Sequence, residues 1–387
     1  MRHVDFLADN EVRLLHCGTD YFPALVEAIE AAQYEVYFET YIFAEDATGK
    51  RIMAALKAAA QRGVAVRMIT DWFGTGHKPA YRLHAEMTAS GIEHRIFNPW
   101  FRRGVTRTHR KICVVDRQVA FVGGININDD MFADHPPRLQ LAAPRWDFAV
   151  EVRGPLVESI NQEAVAQWQR LGHMNIVKRL SLFNEMRKVN KVARQSTMQA
   201  GFVVRDNLRN RRTIQRAYLQ ALGRARKSVL LANPYFAPGR KFRRALAATA
   251  QRGVEVVLLI GVGEMWMQDA VAHSFYPKLL EAGVKVVEYR KTQLHAKVAV
   301  IDDDWATVGS SNVDGLSLFL NQEANVVIKD AAFSRALRKR IEDAIAEGVV
   351  IQRQDFEHVG RFRRIGYEVA YFIYRTLMRI FAVGKYT

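Results

Sequence analysis

The chain repeats itself. AAAQRGVAVRMI at residues 58–69 returns as ATAQRGVEVVLLI at 248–260, and ETYIF at 39–43 has a counterpart in NPYF at 233–236. In both long copies a helix-forming run ends at QRG and passes straight into an apolar, β-branched run. A glycine there suits the left-handed residue that closes a helix, and the run after it reads as a buried strand. Helix and strand joined in this way require parallel β-α-β wiring. The duplication therefore predicts an α/β fold: two α/β/α sandwich domains in one chain, related by a pseudo-two-fold axis that sets equivalent residues face to face.

In coarse order the first half reads as a helix from about Asp20, a strand at 34–43, a helix at 46–62, a strand at 64–71, a helix at 78–90 and a strand at 92–97. From about Asn210 the second half repeats the pattern, with strands at 229–232, 254–260 and 284–289 and a helix running through Leu280. The expected division is 1–169 for the first domain, 170–209 for a linker, 210–350 for the second domain and 351–387 for a C-terminal segment.

At 387 residues, 49% of them apolar and 25% charged, the chain has ample material for two packed cores and is no polytopic membrane protein. Its N-terminus has no apolar stretch of signal-peptide length. Two cysteines, Cys17 and Cys113, cannot build a disulfide framework, which fits a reducing compartment. The net charge of +16 points to an anionic partner, either nucleic acid or an acidic lipid surface. Much of that surplus is local: residues 170–227 hold fifteen Lys or Arg and only Glu185 and Asp206 as acids. Within it, Ile176, Val177, Leu180, Leu182, Phe183 and Met186 recur at near-helical spacing beside Lys178, Arg179, Arg187 and Lys188, the pattern of a basic amphipathic helix.

Each half also holds one His-x-Lys with an Asp seven residues after the His: HRKICVVD, with His109, Lys111 and Asp116, and HAKVAVID, with His295, Lys297 and Asp302. His and Lys two apart on a strand address one face. After the polar turn at the Asp, VAFVGG or WATVGSS runs back antiparallel. The hairpin thus brings Asn126 beside 109–111, and Ser310 and Asn312 beside 295–297.

An imidazole, an ammonium and an amide converging on one spot suit a phosphodiester, because ammonium and amide groups hold non-bridging oxygens and offset developing charge. With two imidazoles, one attacks phosphorus and the other protonates the leaving alkoxide and then deprotonates the incoming hydroxyl. Neither half can do both jobs. Each histidine needs a partner to hold Nδ1–H if Nε2 is to react; Asp147 in RWDFAVEV and Glu323 in NQEANVVI, at corresponding places, are the candidates.

The paired motifs, with FETYIF, THRKICVVD, FVGGIN and HAKVAVIDDDWATVGSSNVDGLSLFLNQEANV, resemble the phospholipase D superfamily over about residues 20–348, and within it bacterial cardiolipin synthases of the short type without N-terminal membrane helices. The resemblance implies His109 and His295 as the catalytic pair, with His109 the nucleophile, and Lys111, Lys297, Asn126, Asn312 and Ser310 as phosphate binders. It implies Asp147 and Glu323 as orienting acids, and Asp116 and Asp302 as motif members that hold the hairpin. It implies no metal and no cofactor. Gly124 stands where the superfamily motif has Ser, a departure that cardiolipin synthases resemble.

Phospholipases, phosphatidyl transferases and nucleases share this chemistry, so the surroundings must choose among them. In RRIGYEVAYFIYRTLMRIF, helical spacing puts Arg364, Glu368, Tyr371, Arg375 and Arg379 on one face and Ile365, Val369, Phe372, Ile373, Met378 and Ile380 on the other. Such a helix lies flat on an anionic bilayer. Trp100, Phe101, Arg102, Arg103 and Arg107 just before the first motif make an aromatic and basic lip, suited to acyl chains plus phosphate or to stacked bases. The leading expectation is a membrane-associated phosphatidyltransferase. It makes cardiolipin from phosphatidylglycerol, with glycerol as leaving product or acceptor, and sits peripherally on the cytoplasmic face of a bacterial membrane. A hydrolase or nuclease of the same superfamily and a non-enzymatic membrane-binding scaffold are the alternatives; nucleic acid is not the expected partner.

Overall fold

The computed structural model describes residues 4–134, 139–172, 196–207, 209–357 and 360–381. Two mixed sheets carry the molecule. The first joins β1 (Glu11–His16), β2 (Glu35–Thr40), β3 (Ala65–Asp71), β4 (Glu93–Phe97), β6 (Ile112–Val115), β7 (Val119–Gly123) and β8 (Phe148–Arg153) in the order β1-β8-β7-β6-β2-β3-β4; a short strand, β5 (Arg102–Val105), stands apart from it. The second joins β9 (Gln199–Arg205), β10 (Ser228–Asn233), β11 (Glu255–Gly261), β12 (Lys285–Tyr289), β13 (Val298–Ile301), β14 (Trp305–Gly309), β15 (Glu323–Lys329) and β16 (Val349–Ile351) in the order β16-β12-β11-β10-β13-β14-β15-β9. Inside these orders lies one shared pattern of seven strands, 1-8-7-6-2-3-4 and 9-15-14-13-10-11-12, which is the duplication seen in space.

The repeated phrases fall where their chemistry puts them. QRG closes the helices Ala47–Gln61 and Arg240–Gln251, and Gly63 and Gly253 take φ of 90° and 87°, which glycine adopts without steric cost. The parallel trio β2-β3-β4 and its copy β10-β11-β12 follow from these crossovers, and the hairpins β6-β7 and β13-β14 add antiparallel pairs beside them. Helices Leu156–Leu171 and Ala331–Ala346 pack in the middle layer, where one apolar cluster draws on both sheets: Ile160, Trp168, Leu337 and Ile341 with Val150, Val300 and Val326. The other helices cover the outer faces. Cys17 and Cys113 are both buried and free.

Four expectations need correction. Residues 199–205, assigned to the linker, form β9 and pair antiparallel with β15 at the sheet edge. β16 closes the opposite edge and crosses the expected boundary at 350. The helix expected to run through Leu280 is two helices, Trp266–His273 and Tyr276–Glu281, with Pro277 in the first turn of the second, where its missing N–H costs nothing. The last helix, Arg361–Phe381, presents its faces differently from its sequence wheel. Met378 and Ala370 are buried with Tyr367, Tyr371 and Tyr374 against the second domain, and the Tyr374 hydroxyl accepts from Gly315 N–H at 2.7 Å. Ile365, Val369, Phe372, Ile373, Leu377 and Ile380 face outward. The proposed amphipathic helix around 176–188 lies outside the described residues. No helix among the described residues is long and apolar enough to cross a membrane.

Candidate active site

Both His-x-Lys segments enter the hairpins from the same side, and each crosses to the other half before it does so. His109 N–H donates to Gln322 O at 2.9 Å, and His295 N–H donates to Trp146 O at 2.9 Å. Trp146 and Gln322 immediately precede Asp147 and Glu323. The two contacts are equivalents of one another, the reciprocity that a two-fold interface demands.

The side chains continue the exchange. His109 Nδ1 lies 3.1 Å from Glu323 Oε2 and 3.0 Å from Ser310 O, both from the second half; His295 Nδ1 lies 2.6 Å from Asp147 Oδ2 of the first half. Each orienting acid therefore serves the histidine of the opposite repeat. With Nδ1 engaged, Nε2 is the nitrogen each ring offers to substrate. All four side chains are buried.

The two acids are seated differently, and this explains Gly124. A Cβ at Gly124 would lie 2.3 Å from Asp147 Oδ1, so the short carboxylate occupies the space that a serine would take. At the equivalent place in the second half Ser310 is present, and its hydroxyl donates to the longer Glu323 at 2.5 Å while accepting from Ala324 N–H at 3.0 Å. Ser310 was expected to bind phosphate. Its hydroxyl is instead spent on holding Glu323, and its carbonyl on holding His109.

Lys111 and Lys297 are buried on the strand face of their histidines, and each ammonium donates to the carbonyl of the histidine two residues before it. Burial, reinforced by the charge of Lys297, lowers Lys111 to about 7; burial lowers Lys297 to about 8 against the pull of Asp147 and Asp134. Burial also lowers both histidines, with Glu323 opposing it at His109, and it raises Asp147. Two buried ammonium groups, one lowered further by the charge of the other, describe a place made for an anion. Asn126 and Asn312 are buried at the ends of the hairpins. Asn126 Oδ1 accepts from Ile42 N–H at 3.4 Å, and Asn312 Oδ1 has no partner among the described residues.

Asp116 and Asp302 lie at the far end of the strands from the histidines. Asp116 accepts from the backbone N–H of Gln33, Tyr34 and Glu35 at 2.7–2.8 Å, and Asp302 from those of Arg226, Lys227 and Ser228 at 2.8–3.1 Å. Both have positive φ, 49° and 51°, which Asp tolerates better than most residues. They tie each turn to the start of β2 or β10 and stand apart from the cleft, as motif members that hold the hairpin.

Sequence reasoning missed several neighbours. Tyr41 packs edge-on against His109, ring centroids 4.9 Å apart, with Lys111 Nζ 5.2 Å over its face. The strand registers equate Tyr41 with Pro234 and Ile42 with Tyr235, so the ETYIF/NPYF match held no signal for it. Arg110, wholly buried, bridges Glu39, Glu163 and Gln322 behind the first motif; the second motif has Ala296 there, so the repeat carried no hint of it. Asp134 Oδ2 lies 3.6 Å from His295 Nε2. At the rim, Phe73, Trp100, Phe101 and Trp266 are exposed, and Arg107 lies 4.2 Å over the Phe73 ring. These residues follow β3, β4 and β11, the carboxyl ends of the parallel strands, where open α/β sheets place their ligands. Among the described residues no group of three or more His, Cys, Asp or Glu is arranged to hold a metal ion.

Duplicated sheets with one His-x-Lys each, sharing a cleft on a pseudo-two-fold axis, define a two-motif protein of the phospholipase D type. The family described as "Cardiolipin synthase, PLD-like domain" matches residues 25–136 and 218–345. Cardiolipin synthase B of Escherichia coli strain K12 is 39% identical over 353 residues, covering 87% of this chain and 81% of that protein. Cardiolipin synthase A of Pseudomonas aeruginosa is 30% identical over 96% of this chain and 74% of its own length. The fold is also that of phosphatidylserine synthase from Haemophilus influenzae, at a TM-score of 0.70 and 14% identity over 98% of this chain and 97% of that one. The chain belongs to the cardiolipin synthase family of phospholipase-D-like proteins.

Proposed function

We propose that the protein is a phosphatidyltransferase that makes cardiolipin from two molecules of phosphatidylglycerol, by way of a phosphatidyl group carried on His109. The observation that supports this reading most directly is the crossed pair of histidine–carboxylate contacts, which leaves two Nε2 atoms to share one phosphorus.

His109, kept neutral by burial, attacks phosphorus through Nε2 while Glu323 and the Ser310 carbonyl hold its Nδ1–H. Lys111, Lys297, Asn126 and Asn312 take the non-bridging oxygens. The phosphodiester anion offsets the cationic field of the lysines that helps to lower His295, and so favours the proton that His295 gives to the glycerol oxygen as the P–O bond breaks. Glycerol leaves. The primary hydroxyl of a second phosphatidylglycerol then gives its proton to His295 and attacks phosphorus, the P–N bond breaks, and cardiolipin departs with His109 restored.

The substrate reaches the cleft from a membrane surface on the cytoplasmic face. The exposed rim aromatics, the outward apolar row of helix Arg361–Phe381 and the net charge of +16 support that placement. Purified protein incubated with phosphatidylglycerol vesicles should release glycerol and cardiolipin in equal amounts. If folded protein yields neither, the transferase reading is wrong.

A further inference from the structure

On the His295 side of the cleft stands a polar wall whose residues, among the described ones, have no equivalents beside His109. Asp134, almost fully buried, is fixed through Oδ1 by Arg145 Nη1 at 2.7 Å and Asn128 Nδ2 at 2.6 Å, and its backbone N–H donates to the Gln293 side chain at 3.2 Å. Gln293 also hydrogen-bonds Glu264, whose Oε2 accepts from the Tyr235 hydroxyl at 3.1 Å. Burial lifts Glu264 to about 7, with the nearby charge of Asp134 pushing the same way. Among the described residues, His109 forms an ion pair with Glu323 alone, whereas His295 faces Asp147 at Nδ1 and Asp134 at Nε2.

The 3.6 Å between Asp134 Oδ2 and His295 Nε2 is too long for a hydrogen bond, yet short enough for one small molecule to touch both. An alcohol oxygen exchanging its proton with Nε2 and carrying a second hydroxyl on the adjacent carbon meets that requirement: the second hydroxyl donates to the carboxylate. The wall's carboxyl groups repel another phosphate and accept from neutral hydroxyls. Continuing the β13–β14 register sets residues 310–312 opposite 294–296, so the unpartnered Oδ1 of Asn312 lies at this end of the hairpin and calls for a donor as well. Water has no second hydroxyl to offer.

We propose that Asp134 and Glu264, with Tyr235 and Gln293, form the alcohol subsite of the reaction and select a vicinal diol over water and over simple alcohols. The inference rests on the phosphatidyltransferase reading. One subsite serves both half-reactions, because the glycerol that leaves and the glycerol head group that enters present the same diol to the same imidazole. A site that hydrogen-bonds a substrate hydroxyl rejects the analogue lacking it, since the site's own polar groups are then left unpaired.

The experiment supplies phosphatidylglycerol vesicles with labelled glycerol or labelled 1-propanol, and measures labelled phosphatidylglycerol, phosphatidylpropanol, cardiolipin and phosphatidic acid. The wild type should favour glycerol. Asp134→Asn, Glu264→Gln and Tyr235→Phe should each lower the glycerol-to-propanol ratio, about tenfold or more for the two acids, and raise the share of phosphatidic acid. Glu264 and Tyr235 are only partly buried, so these two variants decide the question if Asp134→Asn fails to fold. Unchanged ratios in folded, active variants overturn the subsite. A wild type that transfers to neither alcohol and makes no cardiolipin removes the transferase reading, and the subsite with it.

Discussion

Glu323 Oε2 stands 3.1 Å from Nδ1 of His109, a residue 214 positions earlier and rooted in the other sheet. The relationship is matched by Asp147 and His295, so the candidate active site is an exchange between the repeats: each half holds the imidazole of the other through Nδ1. Among the described residues, neither His109 nor His295 pairs with an acid of its own repeat.

The exchange makes Glu323→Gln and Asp147→Asn informative, because both keep the shape and lose the charge. Each should reduce the rate of cardiolipin formation by about 10²–10⁴, the range expected when an imidazole loses its orienting carboxylate or its acid–base role. Circular dichroism and thermal melts should show a retained fold. Ser310→Ala removes only the hydroxyl behind Glu323, and a smaller loss, about tenfold, is expected in the same assay.

Gly124→Ser installs the residue found at the equivalent place in the second half, and it should harm the enzyme. The new Cβ would fall 2.3 Å from Asp147 Oδ1, so the carboxylate must move and His295 loses its support. Displacement of a reacting group by about 1 Å costs on the order of 10²-fold in rate. The double variant Gly124→Ser with Asp147→Glu imitates the second half and should recover part of that loss; absence of any defect in Gly124→Ser would contradict the seating described here.

Lysine titration gives a pH signature. In the free enzyme Lys111 and Lys297 carry charge below about 7 and about 8 and lose it as pH rises through those values. kcat/KM for phosphatidylglycerol, which reports free-enzyme groups, should therefore fall between pH 7 and 9. A bound phosphodiester holds both lysines protonated, so kcat should stay level to higher pH. Profiles of the two parameters over pH 6–10 check this, and coincident alkaline limbs would contradict it.

The terminal helix separates two kinds of apolar residue. Met378→Ala empties a position against the second domain and should cost about 2–5 kcal/mol of stability, read as a lowered Tm. Replacing Phe372 and Ile373 together by Ser should leave Tm nearly unchanged and weaken binding to anionic vesicles about tenfold or more, since each apolar side chain buried in lipid contributes about 1.5–3 kcal/mol at full burial. Vesicle co-sedimentation alongside a thermal melt distinguishes the two.

The sequence by itself determined the duplication, the two hairpins and the two His-x-Lys sets with their Asn and acid residues. Those are properties of local pattern: QRGV read as a helix end, His-x-Lys as one strand face, and the Asp seven residues on as a turn. Periodicity set Met378 and Phe372 on one apolar face of the last helix, opposite Tyr371; it could not tell that Met378 is covered with the tyrosines while Phe372 stays outward, because only the neighbouring surface decides which side of the helix is buried. What tertiary structure alone decided was partnership. That Glu323 serves His109 and not His295, that Ser310 supports an acid and not a phosphate, and that Asp134 comes to face His295 all depend on how one sheet is docked against the other. Nothing in the spacing along the chain encodes a contact made across that interface.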